Sequence, residues 1–298
     1  MILSSDRRHV SVYRERITDE IVRALGFPPD GLARRLLGPL FMYPAGRFAG
    51  IVARADDEAA SSGLPGAARS ILADFSLAPA VWGAETIPQA GPLLIAANHP
   101  GAYDSLAIMS SVPRKDLKVV LSDVGFTRAF AAARGYFIYA SPATAGRTQA
   151  LRASIRHLQS GGALLLYAHT EVEPDPETSP GAREALGDWS RSIEIILRRV
   201  HGTRLQAAIS SGILMPRFLA SPLVRVRRDP ARRQKLAEFL QVSWQMVRPR
   251  SVRPRIHLSF SAPVGREDLP RDGLMPVVIG MARRLLEDHL AAVRRTPG

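Results

Sequence analysis

Leu93-Leu94-Ile95-Ala96-Ala97-Asn98-His99-Pro100-Gly101-Ala102-Tyr103-Asp104 is the stretch from which the fold of this chain is read. An unbroken apolar run ends in Asn-His, a Pro-Gly pair turns the backbone, and an Asp stands five residues after the His. A short continuous apolar run of this kind predicts a strand buried on both faces. Asp104 opens the apolar-periodic stretch Leu106, Ala107, Ile108, Met109, which predicts a helix. His99 then lies at the carboxyl end of a strand, where open α/β sheets place their ligands. Asp104, at a helix start, is positioned to reach back across the turn. A carboxylate that holds one imidazole nitrogen leaves the other free as a general base. The bland reading stands beside this one: Asp is an ordinary N-cap, and a His at a strand end is an ordinary hydrogen-bonded loop residue.

Outward from this stretch the chain alternates. Apolar runs at 117–121, 136–140, 163–167, 205–209 and 256–260 predict further strands. Leu151, Ile155 and Leu158 mark one intervening helix, and Trp189, Ile193, Ile196, Leu197 and Val200 mark another. A last helix is expected near 281–293. Such alternation predicts an α/β fold: a mixed, largely parallel sheet with helices on both faces, preceded by an N-terminal helical segment. The expected division is an N-terminal helical segment at 1–80 and an α/β domain at 81–298.

In the N-terminal segment, Ile17, Ile21, Val22 and Leu25 predict a helix over 13–25 that stops at Gly26. Ser61-Ser62-Gly63-Leu64-Pro65-Gly66 reads as a loop before a helix at 67–77. Between them, residues 36–46 are free of charge but broken by Pro39 and Pro44, and Arg34, Arg35 and Arg47 flank them. Eleven residues fall short of the roughly 20 that a span needs. The patch reads equally as an element lying on a membrane surface and as a helical hairpin packed on the domain.

Composition narrows the function classes. At 298 residues and 46% apolar content the chain can bury a substantial core. It contains no cysteine, which excludes disulfides, a thiolate nucleophile and Cys-ligated metal. No histidine pair has zinc-site spacing with a third ligand close by, so no metal is expected. His157, His201 and His289 read as helix-associated residues, the last two near helix ends where a cation is favourable. Residues 1–10 carry charges where a secretory signal needs an apolar run. The net charge is +13, and residues 217–255 hold eleven basic side chains against two acids, a net of +9. Such a stretch suits phospholipid headgroups, coenzyme phosphates or nucleic acid. Aromatics are sparse within it and no nucleic-acid motif appears, so nucleic acid is not an expected partner.

The segment Asn98-His99-Pro100 with Asp104, after an apolar strand led by Gly91-Pro92, resembles the first motif, His-x4-Asp, of the glycerolipid acyltransferases, the superfamily of 1-acylglycerol-3-phosphate O-acyltransferase. The resemblance covers roughly 82–216. It implies an O-acyltransferase that moves a fatty acyl group from acyl-CoA or acyl-carrier protein, as co-substrate and with no cofactor, to a hydroxyl of a lysophospholipid or related lipid. His99 would be the general base and Asp104 its partner. It also implies a cytoplasmic protein held peripherally at an anionic membrane surface. Backbone N–H groups around the 100–102 turn are the expected donors to the thioester oxyanion.

The later motifs are altered. The second is a Gly-led strand followed by an Arg that meets the acceptor's phosphate; here Gly135 leads the strand, Ala140 holds the Arg position, and Arg147 is the substitute. The third is a strand ending Phe-Pro-Glu-Gly-Thr. Here the strand from Ala163 to Tyr167 ends Ala168-His169-Thr170-Glu171, so His169 and Thr170 fall where the family holds its acceptor. The loop Glu173-Pro174-Asp175-Pro176 reads as a gate or a turn. The fourth motif, a strand ending at a Pro, is loosely matched by 205–216. These departures point to an acceptor other than glycerol phosphate, such as an amino-lipid, sterol-like or glycolipid hydroxyl, or to a non-catalytic, lipid-binding relative.

Overall fold

The apolar runs pair into one eight-stranded sheet, in which the strand at 93–97 is fully buried and paired along both edges. A computed structural model describes residues 4–24, 28, 31–123, 127–141, 143–169 and 171–296. Two helices come first, α1 (Ser4–Ala24) and α2 (Leu32–Phe75), then β1 (Ala80–Trp82), β2 (Leu93–Ala97), α3 (Ala102–Ser111), β3 (Lys118–Ser122) and β4 (Phe137–Ala140). α4 (Thr144–Gln159), β5 (Ala163–Tyr167), the short α5 (Ala182–Ala185), α6 (Ser192–Arg199) and β6 (Arg204–Ser211) follow. The remainder comprises α7 (Pro216–Leu219), α8 (Pro222–Arg225), α9 (Pro230–Val247), β7 (His257–Phe260), β8 (Val264–Gly265) and α10 (Leu274–Arg295).

The strand order is β1-β7-β6-β2-β5-β3-β4, with β8 also on β6. β6, β2, β5, β3 and β4 are mutually parallel, while β7 and β8 run antiparallel to β6. The sheet is therefore mixed and largely parallel, as expected. Alternation within the strands divides the core into two layers. Leu93, Ile95, Ala97, Ala163 and Leu165 face α2 and α3, meeting Leu72, Phe75, Ala107 and Ile108. Leu94, Ala96 and Leu164 face α4, α6 and α10, meeting Leu158, Ile196, Val278 and Leu286. All five residues of β2 are buried, which is why its sequence reads as an uninterrupted apolar run.

The N-terminal segment departs from expectation. The helix expected over 13–25 is α1, which begins earlier, while Leu25 and Gly26 lie outside the described residues. In place of a loop at 61–66 there is only a break at Gly63, with φ 72°, inside the otherwise continuous α2. Pro39 and Pro44 sit within that helix without breaking it. Its turns are held from outside instead, where Ala45, Ala49 and Val52 pack on Tyr13 and Ile17 of α1. Among the described residues no helix is long and apolar enough to cross a membrane. The basic segment expected only as a charged stretch contains α9, which packs against α2.

At the amino-terminal edge of the sheet, Arg114 is buried and pairs with Asp116. Its guanidinium also donates to the carbonyls of Pro88, Gly91 and Gly161, which lead into β2 and β5. Arg114→Leu leaves these carbonyls unpaired and is expected to cost on the order of 3 kcal/mol in urea unfolding. A loss under about 1 kcal/mol would show that these loops close without the guanidinium.

Candidate active site

Parallel pairing puts the carboxyl ends of β2 and β5 side by side, with Ala97 opposite Tyr167. Asn98, buried just past β2, takes the N–H and hydroxyl of Ser210 on its Oδ1 and donates to the Ser210 carbonyl. These bonds extend the contact between β2 and β6 by one residue and fix where the chain leaves the sheet. His99 follows, its side chain half-buried, and Pro100-Gly101 carries the backbone into α3.

Asp104 reaches back as its sequence position predicts. Its side chain has no exposed surface, and its Oδ2 lies 2.8 Å from His99 Nδ1. The same oxygen accepts the Gly101 N–H at 3.1 Å, and Oδ1 accepts the Tyr167 hydroxyl at 3.1 Å. With Nδ1 donating to this carboxylate, the neutral form of the ring keeps its lone pair on Nε2. Among the described residues Nε2 has no hydrogen-bond partner. The Tyr167 ring lies against the imidazole, with centroids 4.3 Å apart, and supports its orientation.

Two more carboxylates converge on this turn. Glu173 Oε2 accepts the N–H of His99 at 2.7 Å, and the Glu173 N–H donates to the His99 carbonyl. Its Oε1 accepts the Trp189 indole N–H. Glu238 of α9 accepts the N–H of Ala102. Burial disfavours the imidazolium of His99, but the charges of Asp104, Glu238 and Glu173, with the Asp104 hydrogen bond, outweigh it and raise His99 to about 8. Burial raises Glu173 to about 7, against the opposing pull of the His99 N–H and Trp189 bonds. It likewise raises Glu238 to about 7 against the Ala102 N–H and His99.

The oxyanion donors expected in the 100–102 turn are already engaged. The Gly101 N–H is held by Asp104 and the Ala102 N–H by Glu238, because a buried carboxylate and a helix start satisfy each other. His169 sits just past β5, beside the site. Its Nδ1 faces the Glu171 backbone within its own turn. Thr170 lies outside the described residues. Arg147 is exposed on the first turn of α4, with its guanidinium 3.5 Å from Thr144 Oγ1. Its helix follows β4, which is three places from β2 in the sheet, roughly 14 Å at ordinary strand spacing. The site therefore joins His99 and Asp104 to Tyr167, Glu173 and Glu238, with His169 close by and Arg147 apart.

The loop expected as a gate or a turn enters a turn at 176–178, where the Asp175 carbonyl accepts the N–H groups of Thr178 and Ser179, and its acids pin it as a strap. Glu171 pairs with Lys235, Glu173 holds His99, and Asp175 accepts the N–H groups of Gly212, Ile213 and Leu214. Glu177 takes the His257 ring and the Ser211 hydroxyl. His289, expected as a favourable cation at a helix end, is fully buried between Ser211 and Ser259 instead. Burial drives it down to about 4, so it is neutral.

No protein-family model matches the chain. No curated protein matches it either. Among solved structures it is similar to the 1-acyl-sn-glycerophosphate (LPA) acyltransferase PlsC from Thermotoga maritima, with a TM-score of 0.48 and 13% identity over 98% of each chain.

The acids around His99 have a consequence for stability. His99, Glu173 and Glu238 all hold protons more tightly folded than unfolded. What they contribute is present at low pH and is lost as pH rises through about 7 and then about 8. The depressed His289 acts oppositely, but only between its unfolded value of 6.5 and about 4. The urea midpoint is therefore expected to fall between pH 6.5 and 8.5, and less in His99→Asn. A midpoint that rises across this window would contradict these shifts.

Proposed function

We propose that the protein is an O-acyltransferase that moves an acyl group from a thioester to the hydroxyl of a lysophospholipid or related lipid. The observation that carries this reading is the His99–Asp104 pair. A buried carboxylate fixes the tautomer of an imidazole whose other nitrogen is unengaged, at the carboxyl edge of the sheet. The resemblance of the segment to the His-x4-Asp motif supplies the reaction class.

In this mechanism the acceptor oxygen attacks the thioester carbonyl carbon while His99 Nε2 takes the hydroxyl proton. The imidazolium so formed is stabilised by Asp104. The tetrahedral intermediate collapses, the C–S bond breaks, and the thiolate leaves with the proton returned by His99. The products are the ester and a free thiol of coenzyme A or acyl-carrier protein. Only a neutral His99 accepts the proton, so the rate rises with pH through about 8.

His169, Thr170 and Arg147 enter the proposal as acceptor contacts. With His169 where the family holds a Glu, and with its Nδ1 turned to its own backbone, a non-glycerophosphate acceptor is favoured as the variant of this reading. The division of the chain at residue 80 belongs to the proposal as well. So does peripheral attachment to an anionic membrane, supported by the exposed Leu32, Leu36, Met42 and Tyr43 on the first turns of α2 and by exposed Arg35 among them.

The test of the chemistry is thiol release from long-chain acyl-CoA or acyl-carrier protein with a panel of lysolipids. The chain has no cysteine, so a thiol-reactive dye reports the released thiol alone. His99→Ala and Asp104→Asn are each expected to lower acceptor-dependent release roughly 10²–10⁴-fold. Turnover that survives both variants would remove the assignment, and silence with every donor would favour a non-catalytic lipid binder. For attachment, Leu36→Asp with Tyr43→Asp is expected to abolish flotation with anionic vesicles. Undiminished flotation would exclude this patch as the contact.

A further inference from the structure

We propose that Glu238 is a positioning residue for His99, holding the Gly101–Ala102 turn on which the His99–Asp104 pair is mounted and setting the acid–base range of the imidazole by its charge. The inference rests on the reading of His99 as the general base. It takes a residue far from the motif in sequence and gives it a role in the same site.

The geometry begins with α9. Gln234, Glu238, Gln241 and Gln245 recur at helical spacing along one face. Gln234 donates to the carbonyls of Pro100 and Glu173. Gln241 donates to the Ile213 carbonyl and accepts the Met215 N–H. Gln245 donates to the carbonyls of Phe75 and Val252 and accepts the Tyr103 hydroxyl. Three buried amides thus seat the helix without help from Glu238.

The acid in the middle of this row does something the amides do not. Its carboxylate accepts the Ala102 N–H and lies so close to the turn that a Cβ on Gly101 would come 2.9 Å from its Oε1. Gly101 is the residue that lets the acid approach. The groups facing His99 are Asp104 from α3, Glu173 from the strap, Glu238 from α9, and the Tyr167 ring from β5. Those facing Glu238 are His99, Asp104, Lys235 and Tyr103. Of the three acids around the imidazole only Asp104 touches it, while Glu173 and Glu238 grip the backbone on either side of it. A glutamine accepts the same N–H as a glutamate. A glutamate here adds charge beside an imidazole that must become a cation in the reaction.

The experiment is a pH titration of the imidazoles by NMR on the full-length, histidine-labelled protein, with His99 assigned by its disappearance in His99→Asn. Thiol release is followed over the same pH range. Glu238→Gln keeps an acceptor for the Ala102 N–H and removes the charge. The His99 midpoint is then expected to fall below about 8, with Asp104 and Glu173 still in place, and the rising limb of the rate profile to move with it. Glu238→Leu removes the acceptor too, and lowers kcat below Glu238→Gln at pH values where His99 is neutral in both. An unchanged midpoint in folded Glu238→Gln overturns the proposal, even if turnover still depends on His99. A midpoint that moves while no turnover depends on His99 leaves the electrostatic role of Glu238 standing and removes the acyltransferase reading instead.

Discussion

A carboxylate with no exposed surface must find partners for its lone pairs, and around Asp104 the search for partners organises the site. One oxygen takes the His99 ring and the Gly101 N–H, and the other takes the Tyr167 hydroxyl. Each bond ties a different part of the fold to the start of α3. The His99 bond secures the exit from β2, the Gly101 bond the turn, and the Tyr167 bond the end of β5. Loss of any partner would leave a buried charge short of hydrogen bonds, which is expensive in a low-dielectric interior. The imidazole is held still as a consequence of satisfying the acid.

The strap extends the same economy along the chain. Glu171, Glu173 and Asp175 occupy every second position and Glu177 follows within the turn at 176–178, so the four acids reach different neighbours. Their partners lie on α9, at the His99 turn, on the loop after β6, and on β7. Burial raises Asp175 to about 6 even with N–H donors from Glu177, Gly212 and Ile213, which measures how far it has been taken from water. Pro174 and Pro176 between the acids lack N–H groups, so they add no further donors to be satisfied, and they limit the conformations the unfolded strap can visit. A segment fastened at four points and stiffened between them braces the His99 turn.

The parts of this arrangement that were legible from the sequence are those that rest on local rules. The five-residue apolar run became β2 with its predicted bounds, the run at 163–167 became β5, and Asp104 faced back to His99 as spacing required. The length of α2 was not legible, because Pro39 and Pro44 are helix breakers by local propensity and packing on α1 overrode them. Tyr167 was visible only as a strand residue, since its role depends on β5 pairing with β2, which no single sequence declares. Glu238 was hidden for a stronger reason. It is one acid in a stretch dominated by arginine, and its partner lies 136 residues away. His289 was misread because α10 runs on to Arg295, which leaves it inside the helix, and because its burial against Ser211 and Ser259 is a tertiary fact.

The overall charge of the chain and the charge of its site have opposite signs, and the fold keeps them apart. The excess of 40 basic over 27 acidic side chains is displayed outward, with Arg225, Arg227, Arg228, Arg232 and Arg233 all exposed between β6 and the first turn of α9. Turned inward from the same segment is a row of amides with one acid among them. A helix that carried its arginines inward would bring cations to His99 and oppose the imidazolium, while amides satisfy backbone groups without adding charge. The positive surface is free to attract polyanions, and beneath it the carboxylates keep a local field that favours a proton on His99. Segregation of this kind lets one stretch of chain serve both needs, which a reading of net charge alone does not reveal.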